Sequence, residues 1–346
     1  MVEDIIKILE KGDISTALKE AREKHFPENL LAEGIIYYHT GNIEKAKQLL
    51  QKYIDLGGEN SEAYYYLGNI FIEERNFKKA VIYLKKAIKI KEKPEYFNDL
   101  GFAFFSLWDY ENAIKNYNKA IELNPDNPVF YYNRALAYRK SGNLEKAIKD
   151  YNRAIALNPD DSDYYHNLGI VYRLTGNPEK AVSSYQKAIK LNPENENYWN
   201  NLGNAYYDTG EYQKAIEAYK KAVEINPSYF LGWQNLANTY LDIGDYENAI
   251  KAFKKAIKLN KYCGDCYMDI GIAYKELGEY EKALKAYDKA VEIDKSLKAT
   301  AIYNKACLFA SKGENQKARE YLKKAFELDS SLKEFAKEDK DVKHLL

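Results

Sequence analysis

The sequence between Phe97 and Lys295 repeats with a period of thirty-four residues, the interval between successive alanines in two regular columns. The columns are Ala113, Ala147, Ala181, Ala215, Ala249 and Ala283, and Ala120, Ala154, Ala188, Ala222, Ala256 and Ala290. Aromatic residues and prolines return at the same interval, at Tyr117, Tyr151, Tyr185, Tyr219, Phe253 and Tyr287, and at Pro125, Pro159, Pro193 and Pro227. A period of this length is typical of stacked helical units that bury their apolar surfaces only against their neighbours. The sequence therefore predicts a repeat array, not a globular domain with one core.

The balance of charges disfavours several kinds of partner. Lysine and arginine total 52, and aspartate and glutamate also total 52, so the formal net charge is zero. Proteins that bind nucleic acid or a membrane surface usually carry a basic excess. Apolar runs stay short of the roughly 18 residues that a membrane span requires, and the acidic start lacks the basic flank of a signal peptide. We therefore expect a cytoplasmic protein with no nucleic-acid partner and no membrane insertion.

One unit shows how the pattern produces helices. Trp199, Leu202 and Tyr206 are spaced three and four residues apart, which places them on one face of a helix. Gly210 follows where this helix must end, because glycine adopts the left-handed backbone conformation of a helix C-terminus without steric cost. A second helix ends before Pro227, since proline disfavours helical geometry in the residue before it. Each unit is therefore predicted to be a pair of helices.

The order of residue types in this unit resembles the pattern of the tetratricopeptide repeat family. The residues that match are Trp199, Leu202, Gly203, Tyr206, Gly210, Ala215, Tyr219, Ala222 and Pro227. The resemblance implies an all-α fold, a right-handed superhelical α-solenoid of stacked antiparallel helix pairs. It also implies that the first helix of each pair lines a concave groove that binds peptides and proteins. Nearly the whole chain carries the pattern.

The resemblance also predicts how the chain is divided. It indicates a single continuous array with a shortened N-terminal unit, nine full repeats and a C-terminal capping helix. These segments are 1–26 for the shortened unit, 27–60, 61–93, 94–127, 128–161, 162–195, 196–229, 230–263, 264–298 and 299–330 for the repeats, and 331–346 for the capping helix.

Two of the departures from the pattern carry structural predictions. Trp108 stands where the other units have glycine, so we expect a different turn between the helices of that unit. Beyond Asp329 the period is lost. Ser331 is expected to cap a last helix whose apolar residues Leu332, Phe335, Val342 and Leu345 face inward.

A column of amide and carboxyl side chains precedes the leucine of each first helix. This asparagine ladder consists of Asp99, Asn133, Asn167, Asn201, Asn235, Asp269 and Asn304, and Asn204 and Asn238 add a second amide one turn later. A side-chain amide both donates and accepts, so it can pair with the backbone of an extended peptide of any sequence. The alternative is that these residues pack adjacent units together. The spacing favours neither reading decisively.

Charged residues lie one helical turn beyond the ladder. Arg139 and Arg173 are candidates for holding a carboxylate, because arginine offers planar, bidentate donors. Tyr207 completes the predicted peptide-binding set, which is otherwise formed by the ladder amides Asn133, Asn167, Asn201, Asn204, Asn235 and Asn238. The alternative is a solvated helix face of mixed charge.

Other chemistry is sparse. Cys263 and Cys266 have the spacing of a redox or metal-ligand pair, but each can also serve simply as a small residue. Three cysteines are too few for a disulfide framework, and the sequence contains no phosphate-binding glycine loop or zinc-protease motif. We therefore expect no cofactor, no metal and no enzymatic activity.

The predicted function is a protein-interaction scaffold that binds an extended segment of a partner protein along its groove. The alternative is a structural module that self-associates into a homo-oligomer through its terminal helices. The apolar start formed by Val2, Ile5, Ile6 and Leu9 is expected to be exposed and would provide the contact.

Overall fold

The computed structural model describes residues 2–346, apart from the side chains of residues 2, 3 and 10, and this part of the chain is helical without any β-strand. It forms two compact units, the first ending at Thr175 and the second running from Gly176 to Leu346. Within each unit short turns join successive helices, which pack against each other and therefore run antiparallel. The all-α class and the pairing of helices are confirmed.

The first unit consists of α1 (Val2–Glu10), α2 (Ile14–Arg22), α3 (Glu28–His39), α4 (Ile43–Asp55), α5 (Ser61–Glu73), α6 (Phe77–Ile90), α7 (Pro94–Ser106), α8 (Tyr110–Leu123), α9 (Pro128–Lys140), α10 (Leu144–Leu157) and α11 (Ser162–Leu174). Four pairs follow one another here, from α3 with α4 to α9 with α10. The second helix of each pair packs on the first helix of the next.

The second unit consists of α12 (Pro178–Leu191), α13 (Glu196–Asp208), α14 (Tyr212–Ile225), α15 (Phe230–Asp242), α16 (Tyr246–Leu259), α17 (Gly264–Glu276), α18 (Tyr280–Ile293), α19 (Lys298–Ser311), α20 (Asn315–Leu328) and α21 (Leu332–Glu338). Short 3₁₀ turns lie at Lys295–Leu297 and Lys343–Leu345. Its pairs run from α13 with α14 to α19 with α20. The numbering of the repeats stays a prediction.

The turn inside each pair uses a residue with positive φ. Gly210 has a φ of +77°, and its N–H donates to the carbonyl of Tyr207 at 2.9 Å. Trp108 has a φ of +65°, and its N–H donates to the carbonyl of Phe105 at 3.0 Å. The expectation of a different turn at Trp108 is therefore wrong. The left-handed conformation costs about 1–2 kcal/mol for such a residue, but its side chain is 76% exposed and meets no steric obstacle that would change the turn.

Glycine inside the first helices creates room for a tyrosine of the second. A Cβ atom at Gly203 would lie 2.5 Å from the ring of Tyr219, and one at Gly271 would lie 2.5 Å from the ring of Tyr287. Both tyrosines are almost completely buried. The period therefore records a packing contact, in which the aromatic ring lies directly over the backbone of the partner helix.

The exposure expected of the apolar N-terminal start differs among its residues. Ile5 is only 1% exposed, because it packs against Ala17 and Ala21 of α2. Ile6 and Leu9 are half-buried, and the side chain of Val2 lies outside the described residues. The expectation that this segment is exposed is wrong for Ile5.

The C-terminal cap is also shorter than expected. Helix α21 has seven residues, and a turn then leads into the last 3₁₀ segment. Val342 and Leu345 are buried as expected, but Phe335 is 63% exposed and therefore does not face inward. Instead of capping α21, the hydroxyl of Ser331 donates to the Asp329 carboxylate at 2.6 Å. The segment is held by its last residues, so a full helix over 331–346 is wrong.

Candidate peptide-binding face

In each unit, the face of the first helices that carries the asparagine ladder is called the ladder face below. In the first unit, the Asn133 amide donates to the side-chain oxygen of Asn98 at 2.9 Å. The Asn167 amide donates to the hydroxyl of Tyr132 at 3.1 Å and to the carbonyl of Asp163 at 2.9 Å. Each ladder amide thus reaches the residue that precedes the ladder position in the preceding first helix. These bonds tie neighbouring helix pairs together.

The same connection occurs at Asp99 with the donor and acceptor exchanged. The hydroxyl of Tyr65 donates to one Asp99 oxygen at 2.9 Å, and the amide of Asn98 donates to the other at 3.0 Å. Burial raises the pKa of Asp99 despite these hydrogen bonds. The ladder therefore accommodates a carboxyl group by surrounding it with donors.

In the second unit the ladder becomes a small amide network. Asn235 donates to Asn200 at 2.9 Å and to Asn204 at 3.2 Å. Asn204 donates to the oxygen of Asn201 at 3.4 Å and accepts from the hydroxyl of Tyr219 at 2.8 Å. The packing role weighed for the ladder is therefore present in both units, and it engages the N–H groups of several predicted ligand-binding amides.

Some buried polar atoms on this face have no hydrogen-bond partner. Among the described residues, the side-chain oxygen of Asn238 and the Nε atom of Arg139 are buried without a hydrogen-bond partner. Arg139 lies in the last turn of α9, and burial together with its charge lowers the pKa of His166 to about 4. His166 is therefore neutral near pH 7, and Arg139 is the cation beside it. Arg173, the second predicted arginine, lies half-buried in the last turn of α11.

Tyr207 is already hydrogen-bonded to the next helix pair. Its hydroxyl donates to the Asp242 carboxylate at 2.7 Å, and this bond raises the pKa of Tyr207 to about 12. Asp269, the ladder residue of α17, is largely buried, and burial raises its pKa to about 7. Asp242 therefore has a donor in Tyr207, and burial favours the neutral form of Asp269.

The sequence analysis missed a cluster at the end of the ladder face, where the C-terminal segment lies. The hydroxyl of Tyr303, which precedes ladder residue Asn304, donates to the Asp339 carboxylate at 2.7 Å. Lys275, which is only 9% exposed, forms an ion pair with Asp341. Lys275 follows Arg139 by four periods and therefore occupies the equivalent position of its own repeat. This equivalence was the sequence feature from which a binding role for Lys275 could have been predicted.

Apolar contacts complete the docking of this segment. The ring of Phe335 lies edge-on to Tyr303, with ring centres 5.7 Å apart. Val342 and Leu345 are buried in the core of the last helix pairs. The segment therefore binds by two carboxylates on the ladder face and by two aliphatic side chains beside it.

The same cluster resembles a metal site only superficially. Single ligand atoms of Cys307, Asp339 and Asp341 lie within 4.8 Å of one another. Burial raises the pKa of the Cys307 thiol, which disfavours the thiolate that a metal requires. The ammonium group of Lys275 already supplies the positive charge beside Asp341.

Cys263 and Cys266 are joined by a disulfide, with their Cα atoms 5.3 Å apart. Sulfurs joined in this bond are not free to act as metal ligands, so the disulfide disfavours the metal-binding role among those that their spacing left open. The remaining cysteine, Cys307, is buried as a free thiol.

Repeated antiparallel helix pairs with a positive-φ turn define the class of helical repeat proteins. Sequence models of the tetratricopeptide repeat match residues 31–96, 103–142, 136–176, 171–210, 197–229, 229–296 and 267–331. The chain therefore belongs to the tetratricopeptide repeat family. Membership makes it a protein-interaction scaffold of a generally non-enzymatic kind.

Individual relatives match over short stretches. The chain is 39% identical over 79 residues to TPR repeat-containing protein MJ1428 of Methanocaldococcus jannaschii, covering 22% of this chain and 14% of that protein. It is 49% identical over 53 residues to serine/threonine-protein phosphatase 5 of Homo sapiens, covering 15% of this chain and 9% of that protein. The chain thus matches only a small part of either curated relative.

Solved structures support the fold. The C-terminal part of a TPR repeat-containing protein from Cytophaga hutchinsonii has a TM-score of 0.57 at 22% identity, covering 66% of this chain and 95% of that one. A tetratricopeptide repeat protein from Parabacteroides merdae has a TM-score of 0.53 at 19% identity, covering 68% and 93%. Across residues 2–346, no helix has the length and apolar character needed to cross a membrane.

Proposed function

We propose that the ladder face binds an extended, acidic segment of a partner protein. The observation that carries this proposal is the docking of the chain's own C-terminal segment on that face. Asp339 and Asp341 are held there by Tyr303 and Lys275, as the ion pair and the 2.7 Å hydrogen bond record. A surface that holds one acidic segment in cis has the donors and the shape to hold another in trans.

The first unit carries cations at the corresponding position of its own first helices. These are Arg139 of α9 and Arg173 of α11, and we propose that this unit by itself binds carboxylates of a partner through them. The buried, unpartnered Nε atom of Arg139 supports this assignment, because a buried guanidinium donor gains most from a charged acceptor. In the second unit Tyr207 occupies the equivalent position of its own repeat, and its hydroxyl would have to exchange Asp242 for the partner.

The ladder amides are proposed to contact the partner's backbone with their remaining hydrogen-bonding capacity. Asn238 is the best placed, because its side-chain oxygen is buried without a partner among the described residues. The N–H groups of Asn133, Asn167 and Asn235 hold helix pairs together, so these residues shape the face as well as line it. The zero net charge supports a protein as partner over a nucleic acid, and we keep the cytoplasmic location as part of the proposal.

The test uses the C-terminal segment as the probe. A fluorescent peptide with the sequence of residues 332–346 is titrated into the full chain carrying Asp339→Lys and Asp341→Lys, which weakens the docking in cis. A tethered segment competes at an effective concentration in the millimolar range. We therefore expect the peptide to bind this variant at least about tenfold more tightly than the unaltered chain, measured by fluorescence anisotropy.

The matched control reverses two exposed carboxylates of α21, Glu334→Lys and Glu338→Lys, and should leave binding at the level of the unaltered chain. Adding Lys275→Glu to the Asp339 and Asp341 variant should abolish binding. The proposal fails if the peptide binds none of the variants, or if it binds equally well with and without Lys275.

A further inference from the structure

The disulfide lies at the start of α17, where its two sulfurs have different surroundings. Cys263 is the N-cap residue, and its Sγ atom accepts a hydrogen bond from the backbone N–H of Cys266 at 3.2 Å. The side chain of Cys263 is partly exposed, and Tyr262 beside it is 72% exposed. Cys266 is completely buried. An external thiol can therefore reach only the Cys263 end of the bond.

The position of Cys263 also favours its thiolate once the bond is open. The first N–H groups of a helix are unsatisfied within the helix and carry partial positive charge, which stabilises an anion at the N-cap. Cysteines at helix N-termini and in Cys-X-X-Cys pairs have lowered thiol pKa values for this reason. The hydrogen bond from Cys266 N–H to the Cys263 sulfur is the interaction that would stabilise the thiolate.

Other first helices begin with an ordinary polar cap and no covalent link, as two examples show: Asp161 accepts from Asp163 N–H at 2.9 Å, and Asn195 accepts from Asn197 N–H at 3.0 Å. A disulfide stabilises mainly by closing a loop of the unfolded chain, and the effect is smallest for short loops. Only two residues separate Cys263 from Cys266, so stability gives a weak reason for the bond.

We propose that Cys263 and Cys266 form a reversible dithiol–disulfide site that exchanges with an external dithiol. A thiolate of the reductant attacks the Cys263 sulfur, the Cys263–Cys266 bond breaks, and Cys266 leaves as a thiolate and takes up a proton. The second thiolate of the reductant then attacks the reductant's other sulfur atom, which is bonded to Cys263 in the mixed disulfide. Cys263 leaves as a thiolate and the reductant becomes a disulfide, so two electrons pass to the protein. Reoxidation by an external disulfide reverses these steps.

The mixed disulfide would form next to the ladder face. The side-chain amide of Gln234 lies 4.0 Å from the Cys263 sulfur, and Gln234 directly precedes ladder residue Asn235. A protein dithiol attached to Cys263 would therefore be held beside the surface that Asn235 helps to line. The proposal does not rest on peptide binding, since exchange with a small dithiol requires only the two cysteines.

The test follows the redox state of the full chain, with Cys307→Ser removing the third thiol. After reduction by dithiothreitol, a maleimide reagent added together with denaturant should label two thiols. Glutathione disulfide added to the folded dithiol should restore the unlabelled form, and helicity by circular dichroism should not change on reduction. In the Cys266→Ser variant, the Cys263 thiol should form a mixed disulfide with 5,5′-dithiobis(2-nitrobenzoate). This reaction should be at least about tenfold faster than that of the Cys266 thiol in Cys263→Ser.

Three results would overturn the proposal. The first is reduction that occurs only when helicity is lost, which would make the bond purely structural. The second is failure of glutathione disulfide to reoxidise the folded dithiol. The third is equal reactivity of the two single thiols, which would contradict the assignment of Cys263 as the attacked and attacking sulfur.

Discussion

Replacing Lys275 by methionine tests how the C-terminal segment is held on the ladder face. Methionine keeps the length and apolar character of the side chain but removes the ammonium group that pairs with Asp341 and with Glu276, the latter at 2.7 Å. The carboxylates that remain are 18% and 23% exposed, so they are poorly hydrated without the cation. The perturbation therefore leaves two carboxylates near each other without their counter-ion.

The expected loss follows from this geometry. Breaking a fully buried ion pair costs about 3–5 kcal/mol. Partial exposure of Asp341 and Glu276 reduces this, and we expect docking of the segment to weaken by about 2–3 kcal/mol. Each 1.4 kcal/mol is a factor of ten in an equilibrium constant, so local opening should become roughly 30- to 150-fold more frequent.

Hydrogen exchange measures this opening directly. The N–H groups of Lys343 and Leu345 donate to the carbonyls of Asp339 and Val342 at 2.9 and 2.8 Å, and they should lose protection in the Lys275→Met variant. Burial alone would lower the pKa of Lys275, but hydrogen bonds to Asp341 and Glu276 outweigh burial and raise it. A basic group whose pKa is raised in the folded state contributes its full stabilisation at every pH below its unfolded-state pKa, which is about 10.4 for lysine. The difference should therefore persist unchanged from about pH 6 to 9.

Lys289→Met is the matched control, because Lys289 pairs with Glu292 on an exposed helix surface and such pairs contribute little. Adding Asp341→Leu to Lys275→Met should restore part of the protection by removing one stranded carboxylate. Unchanged exchange at Lys343 and Leu345 in the single variant would refute the reasoning and would mean that Val342 and Leu345 alone hold the segment.

Three further substitutions test the packing and the ladder, each by urea unfolding followed by circular dichroism. Gly203→Val should destabilise by more than about 2 kcal/mol, since its Cβ would meet the Tyr219 ring at 2.5 Å; wild-type stability would contradict this contact. Asn235→Ala should lower the free energy of unfolding by about 1–3 kcal/mol, because it removes two hydrogen bonds. An unchanged free energy of unfolding would contradict the packing role of Asn235. Asp269 has a raised pKa, so stability should fall as pH rises from about 4 to 7; Asp269→Asn should abolish this slope and gain about 1–3 kcal/mol at pH 8.

The comparison of Trp108 with Gly210 shows where sequence rules hold and where they fail. Glycine at this turn is a valid sign of positive φ, as Gly210 demonstrates. The converse does not follow, because Trp108 and Arg75 adopt the same conformation with their side chains attached. The hydrogen bonds that close the turn compensate for a local backbone penalty, and a pattern of residue types does not report that balance.

The candidate site was predicted in part. The column of ladder residues was visible in the sequence, and each of its members lies on a first helix as expected. Their hydrogen-bond partners were not visible, because Asn133 and Asn98, or Asn235 and Asn200, are thirty-five residues apart and meet only when helix pairs stack. Whether an amide remains available to a ligand therefore depends on tertiary contacts.

The sequence by itself determined the helices, their pairing and the family, because the thirty-four-residue period records packing contacts that recur along the chain, as Gly101 with Tyr117, Gly203 with Tyr219 and Gly271 with Tyr287 do. Tertiary structure alone decided features that occur once. The C-terminal segment has no period to reveal its place, and Lys275 and Asp341 become partners only through folding. Cys263 and Cys266 likewise acquire their disulfide from the start of α17, which brings their Cα atoms to 5.3 Å and buries only the second sulfur.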